Sequence, residues 1–196
     1  MRRELRIGIF GGSFDPPHMG HLLIAELSRI ALMLDRVYLV PAYKPPHKAG
    51  NHPATAHDRL TMARLSVRGN RHLKVSDIEL KRRGVSYTVD TVKSFRKKFP
   101  DSELFLILGG DSLRQFHLWK SPGEILREVS LAVYQRPGHP NKIKGVPSSK
   151  VIRVEGPLMD LSSSDLRTRI EKGKEIRDLV REGVRRFIER KHLYGA

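Results

Sequence analysis

The chain has no cysteine, a single tryptophan and no apolar run near the roughly 20 residues that cross a bilayer. The missing thiols exclude a disulfide framework, a thiolate zinc site and a cysteine nucleophile. Acidic residues are also few, since 21 Asp and Glu stand against 37 Lys and Arg and leave a formal net charge of +16. Because strand-like residues begin at Leu5, we expect no signal peptide, no membrane partner and a cytoplasmic location.

Two common nucleotide-binding motifs are missing as well. No G-x-G-x-x-G spacing surrounds Gly11-Gly12, which disfavours hydride transfer on a nicotinamide cofactor. The only Gly-Lys pair, Gly173-Lys174, has Thr168 where a Walker-type phosphate loop needs its first glycine. The basic charge fits a nucleic-acid surface, an anionic substrate or a solvated surface. Because basic residues are spread along the chain and mixed with acidic ones, we favour a solvated surface and do not expect nucleic acid as a partner.

Alternating residue patterns predict an α/β fold. Short β-branched and aliphatic runs predict strands at residues 5–10, 37–40, 73–78, 104–108, 131–134 and 151–154. Helical spacing predicts helices at 22–34, 57–67, 88–99, 125–127, 163–172 and 178–191. We therefore expect one domain over residues 1–196, a Rossmann-like doubly wound parallel sheet with a C-terminal helical part at 161–196.

In such sheets, ligands bind beyond the carboxyl ends of the strands, near the point where the strand order reverses. The loop after the first strand, the segment after Val40 and the turn Gly109-Gly110-Asp111 all follow predicted strands. We expect them to converge at that edge. Residues 41–57 and 136–150 are rich in Pro, Gly, Lys and Asn and are predicted to be loops.

The segment Gly11–His21, GGSFDPPHMGH, joins the first predicted strand to the first predicted helix. Gly11 and Gly12 lack a Cβ, so the backbone can turn sharply and approach a charged ligand. The helix start that follows offers unpaired N–H groups and a positive dipole end, which favour an anion. His18 and His21 are three residues apart, share a face if the helix has begun by His18, and can each donate to a phosphoryl oxygen. The segment predicts a phosphate site.

Other interpretations of this segment stay open. The two histidines form either the phosphate site, a zinc pair without an obvious third ligand, or ordinary capping or core residues. Ser13 and the backbone N–H groups of Gly12 and Phe14 are expected to line the phosphate cradle. Asp15 belongs to the site or is only a turn residue.

Six segments, in order, resemble the bacterial nicotinate-nucleotide adenylyltransferases, a family of the H-x-G-H nucleotidyltransferase superfamily. They are GGSFDPPHMGH at 11–21, PAYKPPHK at 41–48, SYTVDT at 86–91, Gly109-Gly110-Asp111 with Trp119-Lys120, QRPG at 135–138 and SSSDLR at 162–167. The ordered match runs from Ile7 to about Tyr194. Ala42 stands where many family members have an asparagine that touches the substrate, which leaves the fine specificity open.

The resemblance implies that ATP and nicotinate mononucleotide react to give deamido-NAD and pyrophosphate, with Mg²⁺ as the cofactor. The 5′-phosphate of the mononucleotide attacks the α-phosphorus of ATP directly and in line. Because the attacking group is already an anion, the protein has to supply alignment and charge neutralisation rather than a strong base. No protein ligand is assigned to the metal, which is expected to be held mainly by the phosphates.

The resemblance also implies roles for individual residues. The implied catalytic residues are His18, His21 and Arg167. The implied ATP and phosphate contacts are Gly11, Gly12, Ser13, Phe14, Lys48, Arg136, Ser162, Ser163 and Ser164. The implied substrate contacts are His47, Tyr87, Thr88, Asp111 and Trp119, with the nicotinate carboxylate near Tyr87 and Thr88. Structural alternatives are helix caps at Thr88 and Ser162 and a core aromatic at Trp119.

Three alternative functions fit parts of the same sequence. An enzyme that prefers nicotinamide mononucleotide, or accepts both mononucleotides, would carry the same segments. Pantetheine-phosphate adenylyltransferase shares H-x-G-H, but neither the Ser-Tyr-Thr segment nor His47-Lys48 belongs to that family. A basic nucleic-acid-binding module with a dead nucleotide site is the non-enzymatic alternative, and the retention of both signature histidines and Arg167 argues against it. The sequence leaves a homo-oligomer open.

Overall fold

The computed structural model describes residues 4–46, 53–135, 146–157 and 161–196, except for the side chains of Gly110, Asp111 and Gln135. Its strands are β1 (Arg6–Gly12), β2 (Arg36–Pro41), β3 (Leu73–Val75), β4 (Glu103–Gly109), β5 (Ser130–Gln135) and β6 (Val151–Glu155). They form a six-stranded sheet in the order β3-β2-β1-β4-β5-β6. All neighbouring strands pair in parallel, which confirms the predicted Rossmann-like sheet.

The strand order reverses between β1 and β4. In the pairing register Ile9 lies opposite Leu106 of β4, and Gly12 lies opposite Pro41 of β2. The carboxyl ends of these three neighbouring strands therefore meet at one edge of the sheet. The loops that follow β1, β2 and β4 converge there, as predicted.

Helices connect the strands and follow the last one. They are α1 (Met19–Ala31), α2 (Ala56–Ser66), α3 (Ile78–Arg82), α4 (Thr88–Lys98), α5 (Gly110–Arg114), α6 (Pro122–Glu128), α7 (Ser163–Glu171) and α8 (Glu182–Arg190). Short 3₁₀ turns lie at Phe116–Leu118, Ser148–Lys150 and Leu193–Gly195. The sequence analysis did not predict α3 and α5.

Some predicted boundaries are wrong. The strand predicted at 73–78 ends at Val75, because the backbone turns into α3 and the N–H of Lys81 bonds to the carbonyl of Asp77. The helix predicted at 178–191 begins only at Glu182, although Val180 is buried in the same apolar cluster as α8. The first helix starts earlier than predicted because its N-cap is His18, and it ends earlier, at Ala31, with Leu32 as its C-cap.

Alternate side chains of the strands cover the two faces of the sheet. One face, which includes Ile9 and Leu106, packs against α4 and α6. The other face, which includes Phe10 and Ile107, packs against α1. Gly8 lies in the middle of β1, where an added Cβ would come within 2.9 Å of the Ile107 side chain, so a larger residue would force the neighbouring side chains to shift.

A third apolar cluster lies apart from the sheet. It joins α2, α7 and α8 through side chains such as Met62, Leu166 and Phe187. The C-terminal helical part therefore packs against α2. This packing brings the start of α7 toward the switch point of the sheet. In the described ranges, no helix combines the length and apolar character that a membrane crossing requires.

Candidate active site

The loop between β1 and α1 lies at the switch point of the sheet. Phe14 has a left-handed backbone with φ of 51°, and its ring is buried, with its centroid 5.0 Å from that of His21. A Cβ added to Gly12 would lie 3.1 Å from the Phe14 ring. A Cβ added to Gly11 would meet no described atom within 4 Å. The loop is thus anchored by a buried ring and borders open space at Gly11.

His18 and His21 meet at the start of α1. His18 is the N-cap residue, and the helix begins one residue later. The backbone N–H of His18 donates to Nδ1 of His21 at 3.2 Å, and the two ring centroids lie 3.7 Å apart. Because Nδ1 of His21 accepts this bond, we assign the ring proton to Nε2. The structure therefore brings the pair together as predicted.

The His18 ring is held in an apolar setting. Burial lowers the pKa of His18 to about 4, so the ring is neutral at pH 7. Its Nδ1 is buried and has no hydrogen-bond partner among the residues that the structure describes. An unpaired acceptor is better tolerated in the interior than an unpaired N–H. We therefore assign the proton to Nε2 here too, which makes both rings donors at Nε2.

A donor that directly follows β2 and another from α2 hold the first half of the loop. The Gly12 carbonyl accepts from the backbone N–H of Ala42 at 2.9 Å. The Ser13 carbonyl accepts from Nη1 of Arg59 at 2.9 Å, and Nη2 of the same arginine donates to the carbonyl of Tyr43 at 3.1 Å. Arg59 is 1% exposed, so this is a buried guanidinium between two loops.

The N-terminal turns of α7 hold the second half of the loop. Nη1 of Arg167 donates to the Asp15 carbonyl at 2.8 Å, and its Nη2 donates to Oγ of Ser164 at 3.3 Å. Oγ of Ser163 donates to the Pro16 carbonyl at 2.9 Å. The bonded residues are 147 and 152 positions apart in sequence, so distant segments of the chain form one surface here.

Ser162 is the N-cap of α7, which confirms the predicted capping pattern. Its Oγ accepts from the N–H of Asp165 at 3.1 Å and donates to the Asp165 carboxylate at 2.6 Å. The cap starts the helix directly beside the β1–α1 loop. The partial positive charge of a helix N-terminus is thereby added to this side of the loop.

The C-terminal turn also reaches the loop. The Tyr194 hydroxyl donates to Oδ1 of Asp15 at 2.6 Å. Burial and the neighbouring Asp15 raise the pKa of Tyr194, so the phenol stays protonated and can donate. Asp15 itself is 1% exposed. It is therefore a buried anchor of the loop rather than a solvent-exposed turn residue.

A second group of predicted residues lies on the α4 side. Helix α4 begins at Thr88, as predicted, with Tyr87 as its N-cap residue and without a side-chain cap. Nζ of Lys120 lies 4.3 Å from the centroid of the Tyr87 ring, and the Trp119 ring lies 5.3 Å from that of Phe116. Tyr87 and Trp119 are both partly buried against the same apolar cluster.

A buried polar network fixes the segment before α4. Oγ of Ser86 accepts from the backbone N–H groups of Tyr43 and Lys44, at 2.9 and 3.3 Å, and donates to Glu79. Burial raises the pKa of Glu79, while hydrogen bonds from Ser86 and Thr91 oppose that rise. The network joins the loop after β2 to α3 and α4.

Some of the predicted contacts fall outside the described part of the chain. His47, Lys48 and Arg136 lie outside it, as does the side chain of Asp111, whose backbone lies in the first turn of α5. Among the residues that are described, no three His, Asp or Glu side chains gather into a metal-binding group. In that part of the molecule the histidine pair therefore has no third zinc ligand.

Arg59 and Tyr194 are not among the site residues predicted from the sequence, and Ser86 is included there only as part of the segment 86–91. Arg59 had a detectable signal, because it lies three residues before Met62 on the buried face of α2. A charged residue on an apolar stripe needs buried partners. Tyr194 gave no local signal, since its partner lies 179 residues away.

Comparisons with known proteins show the family to which the chain belongs. Residues 9–169 match the model of the cytidylyltransferase-like family. A probable nicotinate-nucleotide adenylyltransferase from Exiguobacterium sibiricum is 40% identical over 97% of this chain and 100% of its own length. Another from Geobacillus thermodenitrificans is 41% identical over 97% of this chain and 87% of its own.

Solved structures share the fold. The Plasmodium falciparum nicotinic acid mononucleotide adenylyltransferase complexed with NaAD matches with a TM-score of 0.75 and 19% identity, over 97% of this chain and 98% of that one. The same enzyme complexed with APC matches with a TM-score of 0.73, 18% identity and the same coverage. The fold and the β1–α1 loop, together with the family match, define a nucleotidyltransferase of the cytidylyltransferase-like class. Within that class, the chain belongs to the nicotinate-nucleotide adenylyltransferase family.

Proposed function

We propose that this protein transfers the adenylyl group of ATP to nicotinate mononucleotide, forming deamido-NAD and releasing pyrophosphate in the cytoplasm. The observation that carries the proposal is the pairing of His18 and His21, with ring centroids 3.7 Å apart, at the switch point of the sheet. A pair of neutral donors next to a helix start suits a phosphate that gains negative charge during reaction.

The chemistry is a displacement at phosphorus. An oxygen of the 5′-phosphate of the mononucleotide bonds to the α-phosphorus of ATP, and the bond to the oxygen bridging toward the β-phosphorus breaks. The electron pair of that bond leaves with pyrophosphate. The attacking oxygen carries no proton, so no base is needed. We assign to Nε2–H of His18 and His21 the stabilisation of charge on the α- and β-phosphate oxygens.

The phosphate contacts would come from several segments. The backbone of Gly11 to Phe14, with the Ser13 side chain, forms the cradle, and the N-terminus of α7 at Ser162–Ser164 receives the triphosphate with Arg167. Arg167 donates from each Nη to the protein, and its five N–H donors leave others for a phosphate. We assign Lys48, His47 and Arg136 to substrate phosphates as well.

The nicotinate end would bind on the α4 side. The start of α4 at Tyr87 and Thr88 suits a carboxylate, because the first N–H groups of a helix lack intrahelical partners. Trp119 is partly buried and presents an aromatic ring for the pyridine. Asp111 is assigned to a ribose hydroxyl or to the metal.

A divalent ion suits this arrangement, and we propose Mg²⁺. Mg²⁺ is usually bound through substrate phosphates with one or two carboxylates rather than in an all-protein cage. The absence of a three-ligand cluster within the described ranges fits that mode. When bound, the ion neutralises phosphate charge, and Asp111 is the carboxylate proposed to reach it.

The test is to incubate the protein with ATP, Mg²⁺ and either nicotinate or nicotinamide mononucleotide, and to identify the product by mass. We expect deamido-NAD and pyrophosphate, at a turnover at least tenfold above that with the amide. A preference for the amide would overturn the substrate assignment. No pyrophosphate release, together with tight, salt-dependent nucleic-acid binding, would instead support the dead-site alternative.

A further inference from the structure

Arg59 is a charged residue in the protein interior, where burying a charge costs free energy. It is 1% exposed, and it is larger than any other fully buried side chain in the described part of the chain. Burying an unpaired guanidinium costs several kcal/mol, so its retention requires specific partners. Burial lowers the pKa of Arg59, and the charge of Asp15 offsets part of that effect. Its guanidinium donates to two backbone carbonyls, one in each of two loops at the carboxyl edge of the sheet.

The bond to Ser13 fixes the direction of a backbone amide. In a trans peptide, the carbonyl and the following N–H point to opposite sides. Because the Ser13 carbonyl is held by Arg59 at 2.9 Å, the N–H of Phe14 is turned to the side of the loop away from Arg59. In the same manner, the hydrogen bond from the Ala42 N–H to the Gly12 carbonyl fixes the direction of the Ser13 N–H. Fixed amides of this kind form anion-binding concavities.

The bond to Tyr43 connects the loop to the other end of the site. The Tyr43 carbonyl accepts from Arg59 at 3.1 Å, while its N–H donates to Ser86 at 2.9 Å. Ser86 directly precedes Tyr87, the N-cap residue of α4. A continuous path of hydrogen bonds therefore runs from Ser13 through Arg59 and Tyr43 to Ser86.

We propose that Arg59 is a positioning residue that sets the spacing between the phosphate loop after β1 and the loop after β2, so that the two nucleotides meet in line. This inference rests on the proposed function. Arg59 acts through backbone groups that approach phosphates, which nicotinate and nicotinamide mononucleotides share. Its loss is therefore expected to lower kcat for both and to leave the ratio between them unchanged.

The experiment compares Arg59→Lys and Arg59→Ala with Arg64→Ala. Arg64 lies on the same helix, is exposed and pairs with Asp77, so it controls for loss of an arginine from α2. We expect Arg59→Lys to lose at least about tenfold in kcat, because one ammonium replaces a planar fork and small misplacements of reacting groups are costly. Arg59→Ala should lose more and recover part of its activity with millimolar guanidinium.

Hydrogen exchange provides a readout that does not depend on turnover. In Arg59→Lys, peptides covering residues 10–16 and 41–46 should both exchange faster than in Arg64→Ala. Wild-type product formation decides the proposed function, whereas these comparisons decide the role of Arg59.

Three results would overturn the role of Arg59. One is a folded Arg59→Lys protein with kcat within twofold of wild type. Another is a loss of activity that only matches the unfolded fraction seen by urea unfolding. The third is unchanged exchange in either segment. If Arg59→Ala does not fold, Arg59→Lys decides.

Discussion

The two ends of the site are built differently. At the phosphate end, the loop carbonyls of Ser13, Asp15 and Pro16 are held by side chains that lie 46, 152 and 147 residues away. At the pyridine end, the predicted contacts are aromatic rings that remain partly exposed, such as Tyr87 beside the exposed Lys120. At the phosphate end, hydrogen bonds hold the backbone carbonyls of the loop. At the pyridine end, side chains project from a segment that is itself held in place.

This difference corresponds to two chemical requirements. Displacement at phosphorus gains from donors that are already aimed before the substrate arrives, since reorganisation during reaction raises the barrier. Recognition of a pyridine ring gains from contact area and a charge partner, and tolerates small adjustments. We therefore expect changes at the phosphate end to lower kcat and changes at the pyridine end to raise KM. The predictions below test that division.

The largest expected effect is at His18. His18→Ala removes the proposed donor to a phosphate oxygen whose charge grows in the transition state, so kcat should fall by at least about 100-fold. His72→Ala is the matched control, because His72 precedes β3 and lies at the opposite edge of the sheet. Steady-state kinetics of both variants with ATP and nicotinate mononucleotide provide the measurement. Near-normal turnover of a folded His18→Ala protein would remove His18 from the mechanism.

The same histidine predicts a pH dependence of stability. The pKa of His18 is about 4 in the folded protein, against 6.5 when unperturbed. As the pH falls from 6.5 toward 4, His18 therefore binds a proton in the unfolded chain but not in the folded protein, and the free energy of unfolding decreases. Over that pH range, the shifted pKa of His18 lowers the free energy of unfolding by roughly 3 kcal/mol.

Urea unfolding of wild type and His18→Ala across this pH range isolates that contribution. The variant lacks the histidine, so its free energy of unfolding should decline less steeply toward acid, while the other titrating groups affect both proteins alike. Parallel curves would mean that His18 is not held neutral in the folded state.

A smaller effect is expected where the C-terminal turn reaches the loop. Tyr194→Phe removes the hydroxyl that donates to buried Asp15 at 2.6 Å. Leaving a buried carboxylate oxygen without this donor should cost about 1–3 kcal/mol in the free energy of unfolding. A double-mutant cycle with Asp15→Asn, measured by urea unfolding, tests the pair. Strictly additive effects would show that the bond contributes nothing.

The features that the sequence predicted correctly have local signals. The cap at Ser162, the start of α4 at Thr88 and the glycine-rich turn after β1 each follow from a few neighbouring residues. Apolar runs likewise identified all six strands, because strands of a parallel sheet are buried on both faces.

The features that it missed depend on distant partners. Tyr194 has no function that its neighbours reveal, since its hydroxyl meets Asp15 only after the third apolar cluster has assembled. Arg59 was detectable as a charge on an apolar helix face, but the carbonyls that it binds follow from tertiary packing. The error at residues 73–78 arose because the apolar Ile78 was included in the strand, although the polar Ser76 and Asp77 separate it from β3 and Ile78 begins α3.

The smallest expected effect is at Ser86, and it tests the other side of the comparison. Ser86→Ala removes the oxygen that accepts from the N–H groups of Tyr43 and Lys44, at 2.9 and 3.3 Å, and the hydroxyl that donates to Glu79. The start of α4 should then be less well fixed. Since one hydrogen bond contributes about 1 kcal/mol net, KM for nicotinate mononucleotide should rise about fivefold.

The Ser86→Ala experiment also predicts which kinetic parameters stay unchanged. If the division between the two ends holds, kcat and KM for ATP should remain within about twofold of wild type, because uniform binding affects KM alone. Ser94→Ala is the control, since Ser94 also lies on α4 and its hydroxyl donates to the Asp90 carbonyl of the same helix. If Ser86→Ala instead lowered kcat with KM unchanged, the pyridine end would take part in aligning the phosphates. The hydrogen-bonded path through Arg59 and Tyr43 would then join the two ends into one catalytic unit.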